Sequence, residues 1–222
     1  MNRTELHKMR KEYSPNPLDI KNISPDPFTQ FGLWFTEACQ QLNANPSELS
    51  EANAMVLSTA TKDGIPSSRV VLLKSFSPDG FVFFTNYNSR KGEEISENNM
   101  VSLLFFWHNN MRQLRIEGAA VKISQAESDL YFNSRPRESQ ASSALSLQSK
   151  SLANKQIFDD DIKELLESGQ TIYRPENWGG YIVNPHYFEF WQGGLRRSHD
   201  RIAYSINTTN IEIQWDIQRL YP

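Results

Sequence analysis

Four short stretches of the 222-residue sequence gather cations, hydroxyl groups and aromatic rings at spacings suited to holding anions. In SSRVVLLK, Arg69 and Lys74 stand towards opposite ends of one extended run, about 16 Å apart at strand rise. Strict alternation turns them to opposite faces, so they either meet two different anions or end the strand as solvated charges. In FFTNYNSRK, Arg90 and Lys91 fall at the start of a helix, where cations oppose the helix dipole. A bound phosphate would resolve that conflict through the Thr85 and Ser89 hydroxyls, both cations and free backbone N–H groups; the bland alternative is an exposed basic turn. In YFNSRPRES, Tyr131 and Arg135 share a helix face, and Ser139 lies beyond Pro136, where another helix should begin. Together they make a second anion socket, unless Arg135 is spent on an interhelical ion pair. In FEFWQGGLRRSHDR, two glycines let the backbone turn closely, and Arg197, His199 and Arg201 alternate beside Trp191. On a strand all three would face one side and repel one another unless an anionic or electron-rich ligand lay among them; a lone histidine with a structural role is the competing account.

These clusters need elements to hold them. Residues 1–25, with Pro15, Pro17 and Pro25 among polar neighbours, read as an extended arm able to act as a lid, and residues 26–222 as a single domain. Asp26 and Pro27 open an amphipathic helix whose stripe runs through Phe28, Phe31, Phe35, Ala38, Cys39 and Leu42. From 54 to 123 the pattern is a strand meander, AMVLSTA, SSRVVLLK, FVFFT, VSLLFFW and RQLRIEGAAVKI, interrupted by a short helix at 89–99. Ser124 and Glu127 form a capping box for a helix that Pro136 ends; SQASSALSLQSK and IFDDDIKELLES continue as helices. The strands GYIV, YFEFWQ, RIAYSI and IEIQWDI close the chain. Antiparallel strands with helices gathered between them predict an α+β domain around a β-barrel.

Composition removes several function classes. Lys plus Arg number 23 against 26 Asp plus Glu, a net charge of −3, which argues against a broad nucleic-acid footprint. The single cysteine, Cys39, cannot close an intramolecular disulfide or a zinc cluster. No run approaches the ~20 apolar residues of a membrane span, and MNRTELHKMRKEY resembles no secretory or transit signal, so a cytoplasmic protein without membrane partners or metal is expected.

RVVLLK, FFTNYNSRKG, ESDLYFNSRPRESQ, WGGY, FEFWQGG with RSHDR, and the terminal RLYP occur in an order that resembles the pyridoxine/pyridoxamine 5′-phosphate oxidase family, from about Arg10 to Pro222. The resemblance implies an antiparallel split β-barrel that binds FMN, with flanking helices, assembled as a homodimer with active sites shared between subunits. It places FMN contacts on Arg69, Val70, Val71, Leu72, Leu73 and Lys74, on Phe84, Thr85, Arg90 and Lys91, on Gln113, Gln148 and Ser149, and on Trp191 and Arg201. Substrate contacts fall on Lys74, Tyr131, Arg135, Ser139, Arg197, Ser198 and His199, with Arg10, Lys11, Glu12 and Tyr13 as a mobile arm over the site. Arg69, Arg90 and Lys91 would then serve the flavin, and Tyr131, Arg135 and Ser139 the substrate phosphate. The implied reaction oxidises pyridoxamine or pyridoxine 5′-phosphate to pyridoxal 5′-phosphate, passing a hydride from C4′ to the flavin with Arg197 and His199 as catalytic groups, and returns the electrons to O2. Relatives commonly carry a Trp-containing segment where this chain has SSALSL, Pro where it has Ala52, and Leu where it has Ser198. The rivals are another split-barrel flavoprotein such as a flavin reductase, a non-catalytic carrier of FMN or pyridoxal phosphate, and an RNA-binding barrel using Phe83, Phe105 and Trp107.

Overall fold

The computed structural model describes residues 17–44, 51–207 and 214–222. They fall into two compact units interleaved along the chain. One takes the described residues up to 54 with 104–116 and 186–222, the other 55–103 and 117–185.

In the first unit, helix α1 (Pro27–Ala44) starts where Asp26 Oδ2 accepts from Thr29 N at 2.8 Å. Its buried face is Phe28, Phe31, Trp34 and Ala38, while Cys39 is only half-buried. The stripe turns through Trp34 rather than the cysteine. Its rings interlock with those of the strands, Phe31 on Phe105 at 5.4 Å and Trp34 edge-on to Phe190 at 5.0 Å. Phe105 is fully buried and Trp107 nearly so, so neither is available as a stacking platform for bases. Of the N-terminal arm, residues 17–25 are described. Leu18 N donates to Asp200 Oδ2 at 3.0 Å and Tyr204 donates its hydroxyl to Ser24 O at 2.7 Å.

The second unit carries β1 (Ala54–Ala60), β2 (Pro66–Leu72), β3 (Ser75–Ser77) and β4 (Gly80–Asn86). With parts of β5 (Met100–Trp107), β6 (Arg112–Lys122) and β7 (Trp178–Gln192) these give the order β2-β1-β5-β6-β7-β4-β3. Two runs of sequence, GYIV and YFEFWQ, suggest two strands but form one. Proline costs a ladder one N–H rather than its direction, and β7 changes antiparallel partners around Pro185. Its start pairs with β4, Phe81 opposite Val183 and Asn86 opposite Trp178. Its end, in the first unit, pairs with β8 (Asp200–Asn207), which pairs in turn with β9 (Gln214–Leu220).

Four helices complete the second unit: α2 (Arg90–Glu97), α3 (Gln125–Ser134), α4 (Arg137–Leu145) and α5 (Lys155–Glu167). The capping box opening α3 forms as expected, and α3 stops before Pro136. Helix α4 is shorter than its serine-rich sequence suggests, ending at Leu145.

Candidate active site

Strand β4 delivers Phe84 and Thr85 to the mouth of a tight turn, Asn86 to Ser89, from which α2 departs. Gly92 is required there, because a Cβ would lie 2.1 Å from the carbonyl oxygen of Tyr87. Ser89 caps the helix and also accepts from Lys91 Nζ at 3.2 Å. The remaining partners of that ammonium are Thr85 Oγ1 at 3.2 Å and Gln148 Oε1 at 2.9 Å. Lys91 is therefore a buried cation surrounded by neutral oxygens, without a carboxylate among the described residues. Burial, then the charge of Arg69, pulls its pKa down to about 8 against the opposing effect of Glu94. An anion placed here would replace the missing counter-charge.

Arg69 lies in the same wall but is held differently. Its Nη1 donates to Thr59 Oγ1 at 2.6 Å and Leu57 O at 3.2 Å, and its Nη2 lies 3.4 Å from Glu94 Oε2. Arg90 turns back along its own helix to Glu94 Oε1 at 2.9 Å and is mostly exposed. Burial raises the Glu94 pKa, but hydrogen bonds from Ser67, Thr59 and Arg90 outweigh it and hold the carboxylate at about 2. Glu94 thus stays ionised and fixes the two arginines, while Lys91 has no ion pair with a carboxylate among the described residues.

Across the same cavity, of about 670 Å³, α3 and α4 supply the second socket. Tyr131 stacks on Phe84 at 3.9 Å between centroids. Arg135 lies 4.8 Å over the ring of Trp178 and donates from Nη1 to Ser143 Oγ at 2.9 Å. No carboxylate pairs with it among the described residues, so the interhelical ion pair does not form. Burial pulls its pKa below the usual value, with Tyr131 acting the other way. Ser139 and Lys74 complete this wall, and both Arg69 and Lys74 line the cavity despite the alternation of β2, because Lys74 lies beyond the strand's last residue. Val70, Val71 and Leu72 also line it, whereas Leu73 is buried away from it.

The remaining cluster belongs to the first unit and does not line this cavity. Residues 195–197 form a 3₁₀ turn in which Arg196 and Arg197 take positive φ of 53° and 64°, so the strand alternation expected for Arg197, His199 and Arg201 does not hold. Only Arg201 stands on a strand. Gly194 allows the turn, since a Cβ would sit 2.0 Å from Ser198 O, and its N–H donates to His199 Nδ1 at 3.2 Å. That bond requires an unprotonated Nδ1, in line with a His199 pKa lowered by burial and by Arg197. The imidazole packs on Trp191 at 4.7 Å, while Arg197 and Ser198 are exposed. Arg201 grips the buried Glu189 with Nε at 2.9 Å and Nη2 at 3.0 Å. Gln113 is half-buried on β6, in this unit. Ser149, at a φ of 72°, turns the chain after Gln148. Arg10, Lys11, Glu12 and Tyr13 lie outside the described residues.

A family model described as pyridoxamine 5′-phosphate oxidase matches residues 43–168, and one described as the pyridoxine 5′-phosphate oxidase C-terminal dimerisation region matches 178–222. The chain belongs to the pyridoxamine 5′-phosphate oxidase family. It is 45% identical over 221 residues to the pyridoxine/pyridoxamine 5′-phosphate oxidase of Rippkaea orientalis, spanning 98% of this chain and 100% of that one. With the chloroplastic pyridoxine/pyridoxamine 5′-phosphate oxidase 1 of Arabidopsis thaliana it shares 44% identity over 99% of its own length but spans only 41% of that longer protein. Among solved structures, PhzG of Burkholderia lata in complex with tetrahydrophenazine-1-carboxylic acid superposes with a TM-score of 0.84 at 31% identity, covering 93% of this chain and 98% of that one. A pyridoxamine 5′-phosphate oxidase-related, FMN-binding protein of Nostoc punctiforme shares the fold at a TM-score of 0.66 and 17% identity, over 85% of this chain and 97% of the other. The fold is the antiparallel split barrel of this oxidase family, with flanking helices.

Sequence reasoning missed Trp178, which supports Arg135, and Ser142, Ser143 and Ser146, which line the cavity beside Ser139. The serine spacing of three, four and seven is a one-sided helical stripe and was readable. Trp178 carried no such signal, because its neighbour Arg135 is distant in sequence.

Proposed function

We propose that the protein oxidises pyridoxamine 5′-phosphate and pyridoxine 5′-phosphate to pyridoxal 5′-phosphate, with FMN as its cofactor and O2 as the electron acceptor, in vitamin B6 metabolism. The observation that carries this is a single cavity with two separate cationic sockets: Lys91 on one side, Arg135 on the other. A flavin reductase needs the first and has no use for the second. The buried, carboxylate-free ammonium of Lys91 fits a terminal phosphate, and the absence of a GxGxxG turn argues for a mononucleotide over a dinucleotide.

FMN, when bound, supplies the redox chemistry, taking a hydride from the substrate and passing electrons to O2. Lys91, Thr85, Ser89 and Gln148 hold its phosphate, with Arg69 nearby but committed to Glu94. Arg135, Tyr131, Ser139 and Lys74 hold the substrate phosphate and so set where its C4′ carbon lies. The functional unit is a homodimer in which Arg197 and His199 from a second copy of the chain complete each site and hold the pyridine ring, with Trp191 and Arg201 on the flavin side. Arg10 to Tyr13 act as the covering arm. No described helix is long and apolar enough to cross a membrane; we place the protein in the cytoplasm. The deciding experiment is the absorption spectrum of the purified protein before and after adding pyridoxamine 5′-phosphate without oxygen. Bleaching of a flavin band, reversed by air, is expected; a flavin band that the substrate leaves unchanged would reject the oxidase.

A further inference from the structure

Arg135 is fixed at three points, and one of them is Ser143, at the start of the SSALSL segment on helix α4. Its backbone, extended at φ −79° and ψ 153° ahead of Pro136, is tied by Gln140, whose Nε2 donates to Arg135 O at 2.9 Å. Trp178 lies against the guanidinium plane at 4.8 Å. Ser143 accepts one edge N–H at 2.9 Å, the sole hydrogen bond to this guanidinium among the described residues. A guanidinium has five N–H donors, so four remain for a ligand, in a plane that Ser143 and Trp178 set between them.

We propose that Ser143 is a positioning residue for the oxidation: it holds the Arg135 fork at the angle needed to grip the substrate phosphate and so contributes to selection of phosphorylated substrates. The inference rests on the assignment of Arg135 to that phosphate. Geometry supports it from the helix side. Ser139, Ser142, Ser143 and Ser146 all line the cavity, while Ala141 and Ala144 pack towards Phe132 and Trp178 on the core side. Ser143 therefore faces the ligand space through its hydroxyl and is dispensable for the packing of α4. Losing it leaves Arg135 in place on Trp178 but free to rotate in its plane, and bidentate recognition is sensitive to that rotation.

The test compares Ser143→Ala, Ser143→Thr and Arg135→Ala in the holoenzyme, using kcat and KM for pyridoxine 5′-phosphate and unphosphorylated pyridoxine, with the inhibition constant of inorganic phosphate as a second readout. Ser143→Ala should raise KM for the phosphorylated substrate and weaken phosphate inhibition by about five-fold each, as loss of one hydrogen bond predicts, with kcat and the unphosphorylated substrate unchanged. Ser143→Thr, which keeps the hydroxyl, should restore both. If Ser143→Ala raises KM equally for both substrates, the residue merely packs the wall and the inference fails. If it changes nothing while Arg135→Ala erases phosphate selectivity, the inference fails and the substrate socket stands. If neither variant alters selectivity, the assignment of Arg135 itself is wrong and the inference falls with it.

Discussion

Lys91 and Arg135, the two cations proposed to hold phosphates, differ in what pH can do to them. Arg135 stays charged throughout the working range, whereas Lys91 has been drawn down to about 8. Its ammonium is fully present below that value and is lost as pH rises through it. Affinity for FMN should therefore be flat below about pH 7.5 and fall by up to ten-fold per pH unit above 8, until the value raised by the bound phosphate is reached. Flavin titration from pH 6.5 to 9.5 checks this, and Lys91→Met should bind weakly with the slope gone; an unaltered slope in that variant would move the effect to another group. Arg135→Ala should cost about 2 to 4 kcal/mol, roughly 30-fold to 1000-fold, in kcat/KM for phosphorylated substrates while FMN affinity barely moves. Both cations were legible from their motifs. What the motifs hid was allegiance: Arg69 and Arg90 carry the same charge in sequence, yet Glu94 claims both, because four residues of helix bring its carboxylate under Arg90 and strand β2 brings Arg69 beside it. Side-chain pairing of that kind depends on which strand lies over which helix, and residue types alone do not state it.

Helix α2 is the element on which the proposed flavin socket hangs, and Glu94 is its keel. The folded carboxylate sits at about 2 against an ordinary value of 4.5, so its contribution to stability is fully present above about pH 4.5 and is lost as pH falls towards 2. Glu94→Gln should be less stable than the parent at pH 6, with the gap narrowing as both approach pH 2.5. Urea midpoints at the two pH values test it, and a gap that stays constant would show that Glu94 does not titrate in this window. Most elements could be drawn from periodicity and caps, as with the Asp26 and Ser124 starts and the Pro136 stop. The placing of Arg197 and His199 could not, because their alternation with Arg201 would bring them to one face only on a strand, and the chain makes a 3₁₀ turn at 195–197 instead. Positive φ at Arg196 and Arg197 carries a steric cost, and its one mark in the sequence is Gly194, which lets Ser198 O approach.

At the scale of the whole molecule the described residues gather into two compact units, each assembled from discontinuous segments that no linker in the sequence marks. The candidate residues divide the same way: Lys91, Tyr131, Arg135 and Ser139 in one unit, Trp191, Arg197, His199 and Arg201 in the other. A dimer in which one chain's cavity is completed by the partner's Arg197 and His199 makes a sharp demand. Sedimentation should give about twice 25.6 kDa. Arg135→Ala and Arg197→Ala dimers should each be nearly inactive, the second while keeping its FMN. Mixed one to one and allowed to exchange subunits, half the dimers become hybrids. In each hybrid one site collects both substitutions and the other collects neither. Activity should then climb to about a quarter of the wild-type value per site as exchange proceeds, with its time course following subunit exchange. If each site instead drew Arg135 and Arg197 from the same chain, every site in the mixture would retain one lesion and no activity would return, however long the exchange. Recovery cannot arise from an additive effect on stability or on flavin loading, because neither parent contains an intact pair to be stabilised. The regain therefore reports on which chain supplies Arg197 to the cavity that Arg135 lines.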